Sequence, residues 1–136
     1  MAPSSPSARL ASLFDALADP TRLRLLNLMA GREVCVCYFV QILGQGQSKI
    51  SRHLAYLRRA GIVAVRREGR WMHYRLVRPT DNAVDSILDR LHALFAVNKQ
   101  MRADRAKLDR ACCAPQTVAV PVGAPPPSPV LDSRKA

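Results

Sequence analysis

The stretch Val36-Cys37-Tyr38-Phe39-Val40-Gln41-Ile42-Leu43-Gly44-Gln45-Gly46-Gln47-Ser48-Lys49-Ile50-Ser51-Arg52-His53-Leu54-Ala55-Tyr56-Leu57 carries the reading of the fold. Val36 to Leu43 has the composition of a short apolar helix. Gly44-Gln45-Gly46 breaks it, and Ser48 is a candidate cap for a longer helix reaching Ala60. Two helices joined by a Gly-containing turn form the helix-turn-helix pattern. On the second helix, Ile50, Leu54 and Leu57 fall within about 60° of one another, at about 100° per residue. Lys49, Arg52, Tyr56 and Arg59 lie opposite, so one face packs while the other is free to meet a partner.

Working outward, the pattern after Gly61 becomes extended. Ile62 to Arg67 is β-branched and then basic, Glu68-Gly69-Arg70 reads as a turn, and Trp71 to Val77 alternates, which predicts a two-stranded hairpin. On the N-terminal side, Pro20 suits the first position of a helix capped by Asp19, with Leu23, Leu26 and Met29 as its stripe up to Gly31. Leu10, Leu13, Phe14 and Leu17 mark an earlier helix. Beyond Pro79, the spacing of Val84, Ile87, Leu88, Leu91 and Phe95 predicts a last helix continuing to about Asp109.

The expected fold is therefore mostly α with a small β-hairpin, a dimeric winged helix-turn-helix occupying residues 8–110. Residues 1–7 read as a disordered lead. Residues 111–136 read as Cys112-Cys113 followed by a disordered tail, since Pro115 to Ala136 holds six of the ten prolines and no periodic pattern.

The 136 residues carry 21 Lys and Arg against 10 Asp and Glu, a formal charge of +11 that draws polyanions. Charge alone does not separate nucleic acid from an anionic membrane. No segment approaches the roughly 20 apolar residues of a membrane span, and the opening MAPSSPSARL lacks the pattern of a signal peptide, so the expectation is a cytoplasmic protein. In that reducing setting, four closely paired cysteines point to metal or redox chemistry rather than structural disulfides.

A recognition helix needs donors for base edges in its first turns and cations for the flanking phosphates. Gln47, Ser48, Lys49, Ser51, Arg52, His53 and Tyr56 supply them, and Arg66, Arg67 and Arg70 surround the hairpin turn as a basic wing. An isolated basic helix face is more often merely solvated. Helix, turn, helix and basic hairpin in that order favour double-stranded DNA as the partner.

The runs Ala16-Leu17-Ala18-Asp19-Pro20-Thr21-Arg22-Leu23-Arg24-Leu25-Leu26, Glu33-Val34-Cys35-Val36-Cys37, Lys49-Ile50-Ser51-Arg52-His53-Leu54 and Gly69-Arg70-Trp71-Met72-His73-Tyr74-Arg75-Leu76 together resemble the ArsR/SmtB metalloregulators over about residues 8 to 95. The resemblance implies a repressor that binds operator DNA as a homodimer built on its first and last helices. A dimer also suits palindromic half-sites about 34 Å apart, although the amphipathic stripes could instead close a monomeric core.

Cys35 and Cys37 are soft thiolate donors of the kind that select thiophilic ions. In the arsenic-responsive branch of the family, the resemblance implies that Cys-x-Cys at this position binds trivalent arsenic or antimony as the inducer, sometimes with a third cysteine three residues later. Here that position is Val40, and Tyr38 stands where an acidic residue is usual. The third thiolate could come from Cys112 or Cys113 of either subunit, or the two pairs could be separate sites. Side chains at i and i+2 of an ideal helix diverge by about 200°, so ligation of one ion by Cys35 and Cys37 is expected to unwind the helix start and displace the recognition helix.

Alternatives are a pair of small buried residues, cadmium, lead or zinc sensing, and a thiol-redox switch. Zinc sensing on the last helix would call on Asp89 and His92, but no second histidine follows. Catalysis is not expected, because neither cysteine pair has the neighbouring base or Cys-x-x-Cys spacing an activated nucleophile needs, and no constitutive cofactor is implied.

Overall fold

Ser5 opens the first helix: its hydroxyl accepts from the Ala8 N–H at 3.1 Å, and Pro6 follows at the first helical position. The computed structural model describes residues 5–113, 119–121 and 123–130. Helix α1 (Pro6–Leu17) leads into α2 (Pro20–Leu28), whose cap is Asp19, accepting from the Arg22 N–H at 3.0 Å. Residues 5–7 thus belong to a capped helix, not to the free lead expected from their composition. Helix α2 is flanked by α1 and by three later helices, and it buries Leu25, Leu26, Leu28 and Met29. Leu23 of the expected stripe is only half-buried, because packing on several sides replaces a single apolar face.

Strand β1 (Arg32–Cys35) follows and runs directly into α3 (Val36–Leu43). Gly44 ends α3 in the left-handed region (φ 68°), and Gly46 begins α4 (Gln47–Arg59) without a side-chain cap. Ser48 lies inside the first turn of α4 and is not its cap. Ile50, Leu54 and Leu57 are fully buried, as their spacing required. The wing is β2 (Val63–Glu68) and β3 (Trp71–Leu76), paired antiparallel from Val63↔Leu76 to Glu68↔Trp71, with Gly69 at φ 59° closing the turn.

Helix α5 (Asn82–Val97) and α6 (Lys99–Cys113) replace the single last helix expected from periodicity. Asn98 takes an extended conformation and its side-chain oxygen accepts from the Met101 N–H at 3.1 Å, ending one helix and capping the next. The bend lays α6 along α2 and α3. Asp104, fully buried, receives two hydrogen bonds from the Arg24 guanidinium at 2.7 and 3.0 Å and one from Gln100 at 2.9 Å. Asn27 donates to the Met101 carbonyl at 2.9 Å, Arg105 donates to the carbonyls of Asn27 and Ala30 at 2.7 and 3.1 Å, and Arg32 pairs with Asp109.

The sheet order is β2-β3-β1-β4, where β4 is Ser128–Pro129. It pairs Arg32↔Pro129 and Glu33↔Ser128, and the Val130 N–H donates to the Gly31 carbonyl at 3.1 Å. Pro127 is buried, while Val120 and Ala124 pack against the core. These tail residues are therefore seated, contrary to the expectation from proline content. The open edge of β1 supplies the backbone partners that the tail could not find within itself.

Asp104→Ala removes the buried carboxylate that meets the half-buried Arg24 guanidinium and the Gln100 amide, and should cost about 2 kcal/mol. Urea unfolding at neutral pH would register this as a lower midpoint at unchanged slope.

Candidate nucleic-acid interface and thiol pair

Helix α4 presents Gln47, Ser48, Lys49 and Arg52 exposed and Ser51 half-buried, with His53 and Tyr56 half-buried on the flank nearest α2. Lys49, Arg52, His53 and Tyr56 line a pocket of about 340 Å³ together with Arg22. Arg22, on α2, was not singled out from the sequence as a functional residue. Its guanidinium donates to the carbonyls of Ala16 at 2.7 Å and Asp15 at 2.9 Å, closing the end of α1, and stacks 4.2 Å from the centre of the Tyr56 ring. The Tyr56 hydroxyl hydrogen-bonds the Asp15 carboxylate, which raises its pKa above the ordinary tyrosine value. Tyr56 is thus a platform between α1 and α4 rather than a free donor.

In the wing, the exposed Arg66 pairs within the chain. It donates to Glu33 of β1 at 2.6 and 3.1 Å and to Glu68 at 3.1 Å, and this pairing holds the Glu33 carboxyl below its usual range. Arg67 donates to the Gly69 carbonyl at 3.0 Å, and Arg70 lies over the Trp71 ring at 4.4 Å. Of the three wing arginines, Arg67 and Arg70 stand at the hairpin tip and Arg66 braces its base.

Cys35 is the last residue of β1 and the N-cap of α3, with φ −68° and ψ 142°, and Cys37 sits in the first turn. The two sulfurs lie 3.4 Å apart. The divergence expected for i and i+2 assumed that both residues are helical. Because Cys35 is extended, the thiols converge without any unwinding, and the expected distortion of the helix start is not required. Cys35 is buried and Cys37 half-buried. The Cys37 S–H donates to Cys35, and together with backbone N–H groups of Cys37 and Met72 and the neighbouring His73 it lowers the Cys35 thiol to about 6. The same bond and burial push Cys37 up. The pair therefore holds one proton at neutral pH.

His73 is the register partner of Cys35 across the sheet and is buried, 3.7 Å from Glu68. Tyr38, where an acidic residue was considered usual, is a fully buried core residue. Among the described residues, no group of three or more His, Cys, Asp or Glu could hold a metal ion. Helix α6 ends at Cys113, but the side chains of Cys112 and Cys113 lie outside the described residues. On α5, Asp89 receives a hydrogen bond from Arg78 at 2.7 Å and His92 meets the Leu88 carbonyl at 2.7 Å, so both are already engaged. Leu10 and Phe14 of α1 and Leu94 and Val97 of α5 are large apolar residues left exposed. Among the described residues, no helix is long and apolar enough to cross a membrane.

A helix-turn-helix with a polar and basic second helix, followed by a basic-tipped hairpin, defines a winged helix-turn-helix of the DNA-reading class. Residues 19–65 match the family described as bacterial regulatory protein, arsR family. The arsenic resistance transcriptional regulator ArsR1 of Pseudomonas putida is 48% identical over 77 residues, covering 56% of this chain and 60% of that protein. The arsenical resistance operon repressor of Escherichia coli is 51% identical over 65 residues, covering 47% and 56%. The match thus spans less than two thirds of either relative. The solved structure of HlyU from Vibrio cholerae, named a transcriptional activator, superposes with a TM-score of 0.60 at 33% identity over 69% of this chain and 99% of that one. The chain belongs to the ArsR family of bacterial regulatory proteins, and the relatives it matches are transcriptional regulators.

In protein carrying Cys112→Ser and Cys113→Ser, thiolate ultraviolet absorbance should rise by a single thiolate with a midpoint near pH 6, the second appearing only in strongly alkaline solution. Adding Cys37→Ala should move the remaining midpoint up toward the ordinary value of 9.0.

Proposed function

We propose that the protein is a repressor that binds operator DNA as a homodimer and releases it when trivalent arsenic or antimony is held by Cys35 and Cys37. The observation that carries this reading is the thiol pair itself, two sulfurs 3.4 Å apart with one thiolate at neutral pH, at the start of the first helix of the DNA-binding pair. Soft donors that converge and are already half-ionised suit a thiophilic ion and not magnesium or calcium. The names of the two arsenic-resistance relatives point the same way.

A third thiolate comes, in this reading, from Cys112 or Cys113. It is supported by the course of α6, whose Asp109 pairs with Arg32, three residues before Cys35. Ligation joining α6 to the β1–α3 junction would shift α3 against its neighbours. Because only Gly44, Gln45 and Gly46 separate α3 from α4, the recognition helix would follow. Base reading falls to Gln47, Ser48, Lys49 and Ser51, and backbone contacts to Arg52, His53, Arg67 and Arg70. The exposed Leu10, Phe14, Leu94 and Val97 form the dimer face.

A second reading shares the same geometry. Sulfurs at this separation can also be oxidised to a disulfide, which would make oxidation the trigger.

The test is fluorescence anisotropy of the protein on its own promoter, under reducing conditions, with arsenite, antimonite, cadmium and zinc added in turn. Arsenite or antimonite should release the wild type and leave Cys35→Ser/Cys37→Ser bound. Release that also needs Cys112 and Cys113 joins the two pairs in one site. Retention of DNA under every ion rejects metal sensing and leaves oxidation to be tried. Phe14→Glu with Leu94→Glu should convert the dimer to monomer in sedimentation and weaken operator binding by at least about tenfold.

A further inference from the structure

The pocket between α2 and α4 holds one group whose charge changes near neutral pH, set among groups whose charges do not. Its lining is Arg22, Lys49, Arg52, His53 and Tyr56. Arg22 is immobilised from three directions, by the carbonyls of Asp15 and Ala16 and by the Tyr56 ring, so its charge stays where the fold puts it. The His53 side chain is only 16% exposed, with Nδ1 3.8 Å from the Asp19 carboxylate. That carboxylate is partly occupied as the cap of α2, accepting from the Arg22 N–H at 3.0 Å.

The charged groups facing His53 are Asp19 and Arg22 from α2 and Lys49 and Arg52 from its own helix. Asp15 of α1 lies on the far side of Tyr56, bound to its hydroxyl. Three cations thus oppose one carboxylate. With burial as the largest cause, they hold His53 below its ordinary value of 6.5, so the imidazole is neutral in the free protein at pH 7. The pocket is then a concave basic site with a neutral imidazole in its wall and a surplus of positive charge around it. An arriving anion would reverse the balance that keeps the imidazole neutral.

We propose that this pocket is a seat for one phosphate of the DNA backbone, and that His53 takes up a proton when the seat is filled. The inference rests on the DNA-binding reading above, which already gives Arg52 and His53 a backbone contact; it adds Arg22 and Asp19 to the interface and makes binding proton-linked. The seat lies on the flank of α4 that carries the half-buried His53 and Tyr56, bordered by the exposed Lys49 and Arg52, and Gln47 and Ser48 are not among its lining residues. A backbone phosphate has no base identity, so the contact is indifferent to base sequence.

The sign follows from linkage. A phosphate anion favours the imidazolium, so the bound-state value lies above the free one. Between the two, binding takes up protons and affinity rises as pH falls; above the bound value His53 contributes no slope. One seat accepts at most one proton, which limits its share of the slope to about one log unit of affinity per pH unit.

The experiment compares wild type with His53→Gln, on the promoter fragment and on an unrelated duplex of equal length, from about pH 5.5 to about pH 8 at fixed ionic strength. The His53 ring resonance is followed through the same range in wild-type protein alone, with duplex, and with inorganic phosphate. Wild type should gain about threefold to tenfold more affinity than His53→Gln at the acid end, on both duplexes, and the ring midpoint should move up with DNA. A midpoint raised only by duplex identifies a backbone phosphate brought in by docking. One raised equally by inorganic phosphate keeps the phosphate chemistry but assigns the seat to the free ion. Equal slopes in both proteins with an unmoved ring resonance overturn the seat, even where promoter binding is specific. Equal affinity for both duplexes, with the His53-dependent slope intact, overturns operator recognition instead and leaves the seat standing.

Discussion

The backbone of Cys35 belongs to two structures at once. It closes β1, opposite His73 of the wing, and it is the N-cap of α3, the first helix of the DNA-binding pair. A residue that ends a strand and begins a helix must be extended, and that single requirement turns its sulfur toward Cys37 at 3.4 Å. It also ties the thiol pair to the wing on one side and to the helix-turn-helix on the other. Val34 is fully buried and pairs with Tyr74, whose ring lies 6.4 Å from that of Phe39 on α3, so the junction is held by packing as well as by the ladder. Movement at the junction is therefore felt by both DNA-facing elements, since packed interiors transmit strain instead of absorbing it.

Two clamps hold the junction in a larger frame. On one side α6 is bound to α2 and β1 through Asp104, Arg105 and Asp109. On the other, Arg22 and Tyr56 bind α4 to the end of α1, the helix that exposes Leu10 and Phe14. The first clamp joins the helix that ends in Cys112 and Cys113 to the strand that ends in Cys35. The second joins an apolar surface to the basic one. The formal charge of +11 supplies general attraction for a polyanion, and these clamps decide which of the charges have a fixed position.

The elements legible in the sequence were those with local signals. Pro20 after Asp19, the Gly44-Gln45-Gly46 break, the burial of Ile50, Leu54 and Leu57, and the hairpin about Gly69 all follow from capping, turn chemistry or period. What escaped was non-local. Arg32–Cys35 is too short to show a strand period, and it exists because β3 offers it a ladder. Ser128–Pro129 is a strand only because β1 has an open edge. Asn98 interrupts the helix expected to continue from Phe95 through a mixed-charge stretch, because its side chain caps a helix folded back on α2. At the candidate site, the basic residues of α4 were legible from helical period, but the pairing of Arg66 with Glu33 was not, because Glu33 lies in a strand that could not be seen. Arg22 was passed over because its role depends on the ring of Tyr56, thirty-four positions away in the chain. The convergence of Cys35 and Cys37 was missed for the same reason as β1 itself.

If the thiol pair and the DNA-facing surface are two ends of one equilibrium, each ligand must weaken the other by the same factor. The most direct measurement is the affinity of arsenite for the protein alone and for the protein saturated with its operator. Coupling through the β1–α3 junction predicts weaker arsenite binding on the operator, by the factor by which arsenite weakens operator binding. Equal arsenite affinity in the two states would contradict it, and would make Cys35 and Cys37 a thiol site without a hold on the DNA.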